Sequence, residues 1–292
     1  MAPQPPLILV DNVFDRINLY PAALPLTSDR VPVVGREMNF IADYRRERTY
    51  WHSGPTDGNG AYVQVDLGAG NSQKVDSIWL DRGHTANPGS ALTVYGSNDN
   101  FSTFPAAIYT ANMPAVGTVG GDPTTGWCIT EEGAAYSLVA LTAACRYWRV
   151  TFAFATYPNG VIVPGIILGK RVQLSSPAGW SSVVDEDAGE RSERMESSLV
   201  PGYEGSDRTY SARKVELRLA YIGATEYDSV IRGLRRTLYE VGQPAVVCMD
   251  YGTHPERAWL YRYSGKSWSS PIGKGVYRNV SIPMTEVGPL IR

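Results

Sequence analysis

Through the first 170 or so residues, hydrophobic and polar positions change places in short runs with a period near two. The runs are Tyr62 to Leu67, Val75 to Leu80, Ala91 to Tyr95, Arg146 to Phe154 and Val161 to Leu168. Val75, Ser77 and Trp79 fall on one face of the second run, with Ile78 and Leu80 on the other. In the fourth, Trp148, Val150 and Phe152 share a face, as alternation along a strand requires. Turn-forming clusters separate the runs: Gly54 to Gly60, Gly68 to Asn71, Asn87-Pro88-Gly89 and Gly120 to Pro123. Many short strands with such punctuation predict a β-sandwich. Residues 20–60 and 105–135 are long and irregular.

The pattern changes after Leu174. Ser175 to Gly179 reads as a linker, and a densely charged block from Asp185 to Glu196 follows. Strands are expected over Glu190 to Met195 and Tyr210 to Tyr221. The second places Val215, Leu217, Leu219 and Tyr221 on one side and Lys214, Glu216 and Arg218 on the other, a half-buried antiparallel strand. One helix is then predicted, with Thr225 as N-cap and Asp228 completing an acidic variant of the capping box. Tyr227, Val230, Ile231, Leu234 and Leu238 lie on its apolar face, and Gly242 and Pro244 end it. Strands at Ala245 to Asp250, Ala258 to Tyr263 and Val276 to Pro283 complete the expectation. The fold class is mainly β: a jelly-roll sandwich over 1–174, a linker over 175–184 and an α+β domain over 185–292, with one helix on an antiparallel sheet.

Composition narrows the function classes. With 43% hydrophobic residues and a net charge of −2, the chain is not a disordered one. It has no basic block, so no nucleic-acid partner is expected. No stretch reaches the roughly 18 apolar residues of a membrane span. The opening, Met1 to Arg16, has no basic n-region and too short an apolar run for a signal peptide. Cys128, Cys145 and Cys248 form no metal motif, and their odd number leaves at least one thiol unpaired. Buried free thiols and synthesis in a reducing compartment follow.

The segment Thr49-Tyr50-Trp51-His52-Ser53, followed by Ala61 to Gly68, resembles the entry to a discoidin domain, also called factor 5/8 type C or galactose-binding-like. Val75 to Leu80, Thr93-Val94-Tyr95-Gly96-Ser97-Asn98-Asp99, Arg146 to Thr151 and Ile166 to Gly169 are similar to its later elements, in order. The resemblance covers about residues 10–174 and implies an eight-stranded jelly roll whose end loops often take sugars or lipid headgroups. Trp51, His52, Arg82, His84 and Asn87 are the candidate glycan-contacting groups, with a core role for Trp51 as the competing assignment. Such domains often hold Ca2+, but the closing strand Gly165 to Lys170 lacks the acidic residue some members use, and Asp11, Asp15 and Asp57 are scattered. No cofactor or metal site is expected, Ca2+ being the one ion the resemblance leaves open.

Arg213 to Leu219, the helix, and Pro244 to Asp250 resemble a recurrent module of tailed-bacteriophage tail proteins, over about residues 185–290. The resemblance rests on layout and implies rings built by joining sheets between subunits, with the polar ribbon from Gly189 to Ser198 either a subunit contact or a solvated hairpin. Of 27 cationic residues 22 are arginine, and Arg191, Arg194, Arg213, Arg218 and Arg235 are candidate assembly contacts. A guanidinium fork suits bidentate pairing with carboxylates of a neighbouring copy.

Catalytic signatures are missing: no nucleophile elbow, no P-loop, no zinc-protease helix, and His52, His84 and His254 far apart in sequence. The leading expectation is therefore a non-enzymatic structural virion protein, made in the host cytoplasm and placed in the tail tip, baseplate or connector. Its partners are copies of itself in a ring, neighbouring tail proteins and a host-surface glycan. The alternative is a carbohydrate-binding adhesion protein acting through loops of the first domain.

Overall fold

A computed structural model of the chain describes residues 6–15, 27–28, 32–34, 36, 38–42, 50–54, 61–81, 84, 91–112, 127–130, 144–153, 160–174, 183–185, 191–196, 204–210, 213–249, 258–265, 269–272 and 277–287. The first strands are β1 (Leu7–Val10), β2 (Thr27–Ser28), β3 (Trp51–His52), β4 (Ala61–Asp66), β5 (Ser77–Leu80) and β6 (Ala91–Ser97). Next come β7 (Tyr109–Asn112), β8 (Trp127–Thr130), β9 (Tyr147–Ala153), β10 (Ile162–Val163) and β11 (Ile166–Gln173). Then follow β12 (Val183–Asp185), β13 (Arg191–Glu196), β14 (Glu204–Tyr210) and β15 (Lys214–Gly223). After helix α1 (224–240) lie β16 (Ala245–Cys248), β17 (Ala258–Tyr263), β18 (Ser269–Ile272) and β19 (Tyr277–Glu286). The chain divides into two compact units, Met1–Ser175 with Ala245–Trp259, and Ser176–Pro244 with Leu260–Arg292.

The first unit is a β-sandwich. One sheet has the order β2-β4-β9-β6-β7 and the other includes β16-β1-β11-β5-β8, with antiparallel pairs throughout. Alternation decides what faces inward. Trp148, Val150 and Phe152 of β9 enter a common core with Val63 and Val65 of β4, Leu92 and Val94 of β6, Ile78 and Leu80 of β5, and Ile166 and Leu168 of β11. The continuous apolar strand β1 is buried along its whole length between two neighbours. Burying a side chain of this size contributes about 1.5–3 kcal/mol. A short β3–β10 ladder pairs Trp51 with Val163 and His52 with Ile162.

Two sequence expectations are corrected here. Val161 to Leu168 is not one strand: β10 and β11 are separated at Pro164, which has no N–H for a ladder, and the Gly165 carbonyl instead accepts from the Asp81 N–H. Ala245 to Cys248 lies far along the chain, yet β16 forms part of the first unit's sheet, with Ile8 opposite Val247.

Close approach explains one glycine of the discoidin-like signature. A Cβ on Gly96 would come within 2.9 Å of Cys145 Sγ and Ile108 Cδ1, so no larger side chain fits beneath Trp148. The turn after it is held by Ser97 and Asp99: Ser97 Oγ donates to Asp99 Oδ1 at 2.6 Å and accepts from the Phe101 N–H at 3.1 Å. That network keeps Asn100 and Phe101 at φ of 56° and 58°, a region costly for non-glycine residues.

The second unit is α+β. In it β15 pairs with β12 and β19, and β19 also pairs with β17 and β18. Val215, Leu217 and Leu219 are buried as alternation predicts, but Tyr221 is 70% exposed. The register shifts between Leu219 and Ile222, Tyr221 takes φ 59°, and Ile222 fills the inward position instead. Helix α1 buries Tyr227, Ile231, Leu234 and Leu238, and Gly242 at φ 74° follows its end. Thr225 is not its N-cap. Gly223 occupies that position with no side-chain cap, and Thr225 lies within the first turn, where its carbonyl accepts from Ser229 Oγ. The helix widens to π-type turns at Tyr227–Ile231 and Arg236–Glu240.

Candidate functional site

The fate of Trp51 organises the candidate site. It lies in a strand whose neighbours in sequence point the other way, and its indole is fully buried against Phe152, ring centroids 6.1 Å apart. Trp51 is thus a plug of the sandwich core and not a ligand contact. Tyr50 and His52, one residue either side, are half-buried. The turn from Val33 to Arg36 comes alongside: the His52 N–H donates to the Arg36 carbonyl at 3.1 Å, and the Val33 N–H donates to the His52 carbonyl at 3.1 Å. A further bond from the Arg36 N–H to the Val33 carbonyl at 2.8 Å closes that turn. Its tip exposes Val34 at 96%.

This backbone arrangement brings three side chains together. The Arg36 guanidinium lies over the Tyr50 ring, 3.9 Å from its centroid, a cation–π contact. His52 Nδ1 accepts the Gly54 N–H at 3.1 Å. Nδ1 therefore carries no proton in the neutral ring, and the N–H is assigned to Nε2. Burial, reinforced by the positive charge of Arg36, lowers the His52 pKa below its ordinary value. At neutral pH the constellation is a neutral imidazole donor, a guanidinium and an aromatic ring, with apolar Val33 and Val34 beside them.

Serine 53 and Gly160 hold the base of this region. Ser53 Oγ accepts from the Val161 N–H and donates to the Gly54 carbonyl, each at 2.9 Å. Gly160, at φ 80°, passes so near Gly54 that a Cβ would overlap its carbonyl. A glycine is required there by both conformation and space.

The other residues singled out from sequence are not assembled into a site. His84 is 2% exposed and neither ring nitrogen has a hydrogen-bond partner among the described residues. It is a buried residue outside the named strands, and not a solvent-facing group. Arg82 and Asn87 lie outside the described residues, as do the side chains of Arg191 and Arg194 on β13. Arg213 is committed within its own unit, with Nη1 3.2 Å from both carboxylate oxygens of the buried Glu286. Arg218 Nη2 lies 2.7 Å from Glu216 Oε2 on the surface. Arg235 lies 4.0 Å from Glu240 and 5.8 Å from the Tyr239 ring centroid.

Sequence reasoning missed Arg36 and Tyr50. For Tyr50 a signal existed: once Trp51 is given to the core, period-two alternation turns Tyr50 and His52 to the opposite side. For Arg36 there was none, because its approach depends on a turn in a stretch without periodicity. A second Arg–aromatic cluster is a brace. Arg149 stacks on Tyr62 at 4.1 Å and Phe101 at 4.2 Å, and its Nε and Nη2 both donate to Gln64 Oε1. Through these contacts that guanidinium ties Phe101 of the 97–104 turn to the sheet.

Among the described residues no group of three or more His, Cys, Asp or Glu could hold a metal ion, and Asp11 lies 3.9 Å from Lys170. Cys145 and Cys248 are buried free thiols; the side chain of Cys128 lies outside the description. No described helix is long and apolar enough to cross a membrane.

No protein-family model matches the chain, and no curated protein sequence matches it. Solved structures similar to it include a Ruminococcus gnavus GH29 fucosidase in complex with fucose, at 14% identity and a TM-score of 0.38. That match covers 56% of this chain and 27% of the fucosidase. Chitosan-binding module 1 of a Paenibacillus chitosanase/glucanase matches at 20% identity and a TM-score of 0.37, over 55% of this chain and 98% of the module. The lectin domain of lectinolysin, complexed with Lewis B antigen, matches at 12% identity and a TM-score of 0.36, over 55% of this chain and 96% of the domain.

Proposed function

We propose that the first unit is a carbohydrate-binding module that takes a saccharide at Arg36, Tyr50 and His52. The observation that carries this reading is the guanidinium-braced Tyr50 ring beside a histidine whose tautomer leaves Nε2–H as a donor. An aromatic surface with a few fixed polar groups suits a sugar, whose C–H face needs apolar contact and whose hydroxyls need directional partners. The solved structures it resembles include proteins seen with fucose and Lewis B antigen, in keeping with this reading. A glycan array with the wild type and with Tyr50→Ala and His52→Ala tests it. Signal lost in both variants supports the site, and no wild-type binding above background overturns it.

A second reading, a structural component of a tailed-phage tail tip, baseplate or connector, would place its assembly contacts in the second unit. There β13 and β14 pair with each other and with no other described strand. A two-stranded ribbon can add to the sheet of another copy or of a neighbouring tail protein. The two readings are compatible, since a tail protein made in the host cytoplasm can display a glycan-binding unit. In both, the protein binds and assembles rather than catalyses. Sedimentation of the purified protein at high concentration tests the second reading: self-association supports it, and strict monomers overturn it.

A further inference from the structure

Helix α1 carries a second face that its own unit leaves uncovered. While Tyr227, Ile231, Leu234 and Leu238 are buried, Thr225, Asp228, Arg232, Arg236 and Tyr239 are exposed. Successive members of this exposed stripe lie three, four, four and three residues apart, so they share one side of the helix. The spacing reads the same from either end, with Arg232 at its middle. Its two ends differ in kind: Asp228 is matched by Arg236, and the small Thr225 by Tyr239, which is 51% exposed. Tyr239 stands edge-on to Tyr263, ring centroids 5.6 Å apart. Arg232 Nη2 lies 3.3 Å from Asp228 Oδ1, whereas Arg236 makes no ion pair among the described residues. A palindromic stripe with opposite chemistry at its two ends is complementary to itself. Two copies of α1 laid antiparallel about a two-fold axis at Arg232 set each Asp228 opposite Arg236 of the other copy, and each Tyr239 opposite Thr225. The two arginines that meet at the axis are each already drawn toward the Asp228 of their own helix.

We propose that the exposed face of α1 is a self-pairing surface, its occupant being α1 of a second copy of this chain in antiparallel register about Arg232. This pairing rests on the self-assembly reading of the second unit, for which it names the contact, and it leaves the saccharide site aside. Charge complementarity selects the second copy and sets its direction, because a parallel partner would place Asp228 on Asp228 and Arg236 on Arg236. Exposed ion pairs contribute little each and the apolar part of the contact is small, so association is weak and concentration-dependent.

Sedimentation velocity of the full chain at rising concentration tests it with Asp228→Arg and Arg236→Asp, each alone and then mixed. Every substitution acts at both symmetric contacts, so each variant alone is expected to self-associate at least roughly ten-fold more weakly than the wild type. An equimolar mixture is expected to recover wild-type association, because the arginine introduced in one variant then faces the aspartate introduced in the other. Thermal melts of both variants, and the recovery itself, show that neither has simply unfolded. Wild-type association that neither substitution weakens, or that mixing does not recover, overturns pairing through α1 while leaving self-assembly intact. A wild type that stays monomeric at every concentration overturns both. If that monomer binds a poly-glutamate peptide and Arg236→Asp abolishes the binding, the face takes an acidic partner and self-pairing is overturned.

Discussion

Arg146 grips Asp66 with two parallel contacts, Nε to Oδ1 at 2.6 Å and Nη2 to Oδ2 at 2.8 Å. The same carboxylate accepts the Gly68 N–H at 2.8 Å, so one side chain ends β4 and ties it to the start of β9. The Arg146 hydrogen bonds hold the Asp66 pKa below its ordinary value, against the opposing effect of burial. A depressed carboxylate pKa adds stability that is complete above the ordinary carboxylate range and lost as pH falls through the folded value. Arg146→Ala is expected to lower the melting temperature at pH 7 and to narrow that loss at low pH. Arg146→Lys recovers part of it, because an ammonium cannot form the fork. Melting curves from pH 2 to 7 check both.

His84 gives a second acid-side dependence, with a different cause. Burial pushes its pKa from 6.5 down to about 4, so the unfolded chain binds a proton that the folded protein excludes. The sign follows: stability is full above pH 6.5 and falls as pH drops toward 4. By linkage the loss is roughly 3 kcal/mol across that window. His84→Leu is expected to flatten the window, and denaturant melts at pH 7, 5.5 and 4 measure it.

Arg213 and Glu286 form a largely buried ion pair in the second unit. Beyond the side-chain contact, the Arg213 N–H donates to Glu286 Oε2 at 3.1 Å and the Glu286 N–H donates to the Arg213 carbonyl at 2.8 Å. Truncating the arginine strands a carboxylate that is 2% exposed. Arg213→Ala is expected to destabilise this unit by about 3 kcal/mol, whereas Arg213→Ala combined with Glu286→Gln costs less. A double-mutant cycle by urea denaturation separates the two. Charge reversal at Arg213 is therefore a folding test, and Arg218 is the better position at which to probe assembly.

Removing residues after 175 takes β16 away from β1 and leaves the backbone of Leu7 to Leu9 without that neighbour. A chain ending there is expected to expose apolar strand surface and to melt earlier, or to self-associate through the open edge. Light scattering and thermal melts of the truncated and full chains check this. A synthetic peptide covering 244–250 should raise the truncated chain's midpoint if the lost pairing is the cause.

Much of the first unit was legible because its strands obey a period of two. Trp148, Val150 and Phe152 turn inward as their spacing requires. Exceptions arise where backbone geometry breaks the period. Tyr221 leaves the core because one irregularity moves the next residue, Ile222, into its place, and nothing in Tyr221 itself signals a positive φ. The helix start was misplaced because Thr225 has the chemistry of a cap but Gly223 has the extended backbone. The candidate site was half legible. His52 was identified, but Trp51 and His84 proved interior, because a loop signature does not say which way an aromatic ring points. Arg36 lay beyond reach because its neighbours in space are set by a turn and not by spacing.

The place of Ala245 to Cys248 beside Leu7 to Leu9 also fixes a schedule. During synthesis β1 can pair with β11 long before β16 exists, so the nascent first unit waits through the emergence of residues 174–244 with one side of β1 bare. At typical elongation rates of about 5–20 residues per second, that interval lasts several seconds. The charged block and the α1 segment are made during this wait, when the unfinished strand is open to wrong partners. Ribosome pausing, or a slow codon run, within that stretch would lengthen the hazard, while a chaperone that covers an apolar strand would shorten its consequences. The pair that closes this edge, Leu9 with Val246, lies 237 positions apart in the chain, so the finished sandwich depends on a contact that only late synthesis supplies.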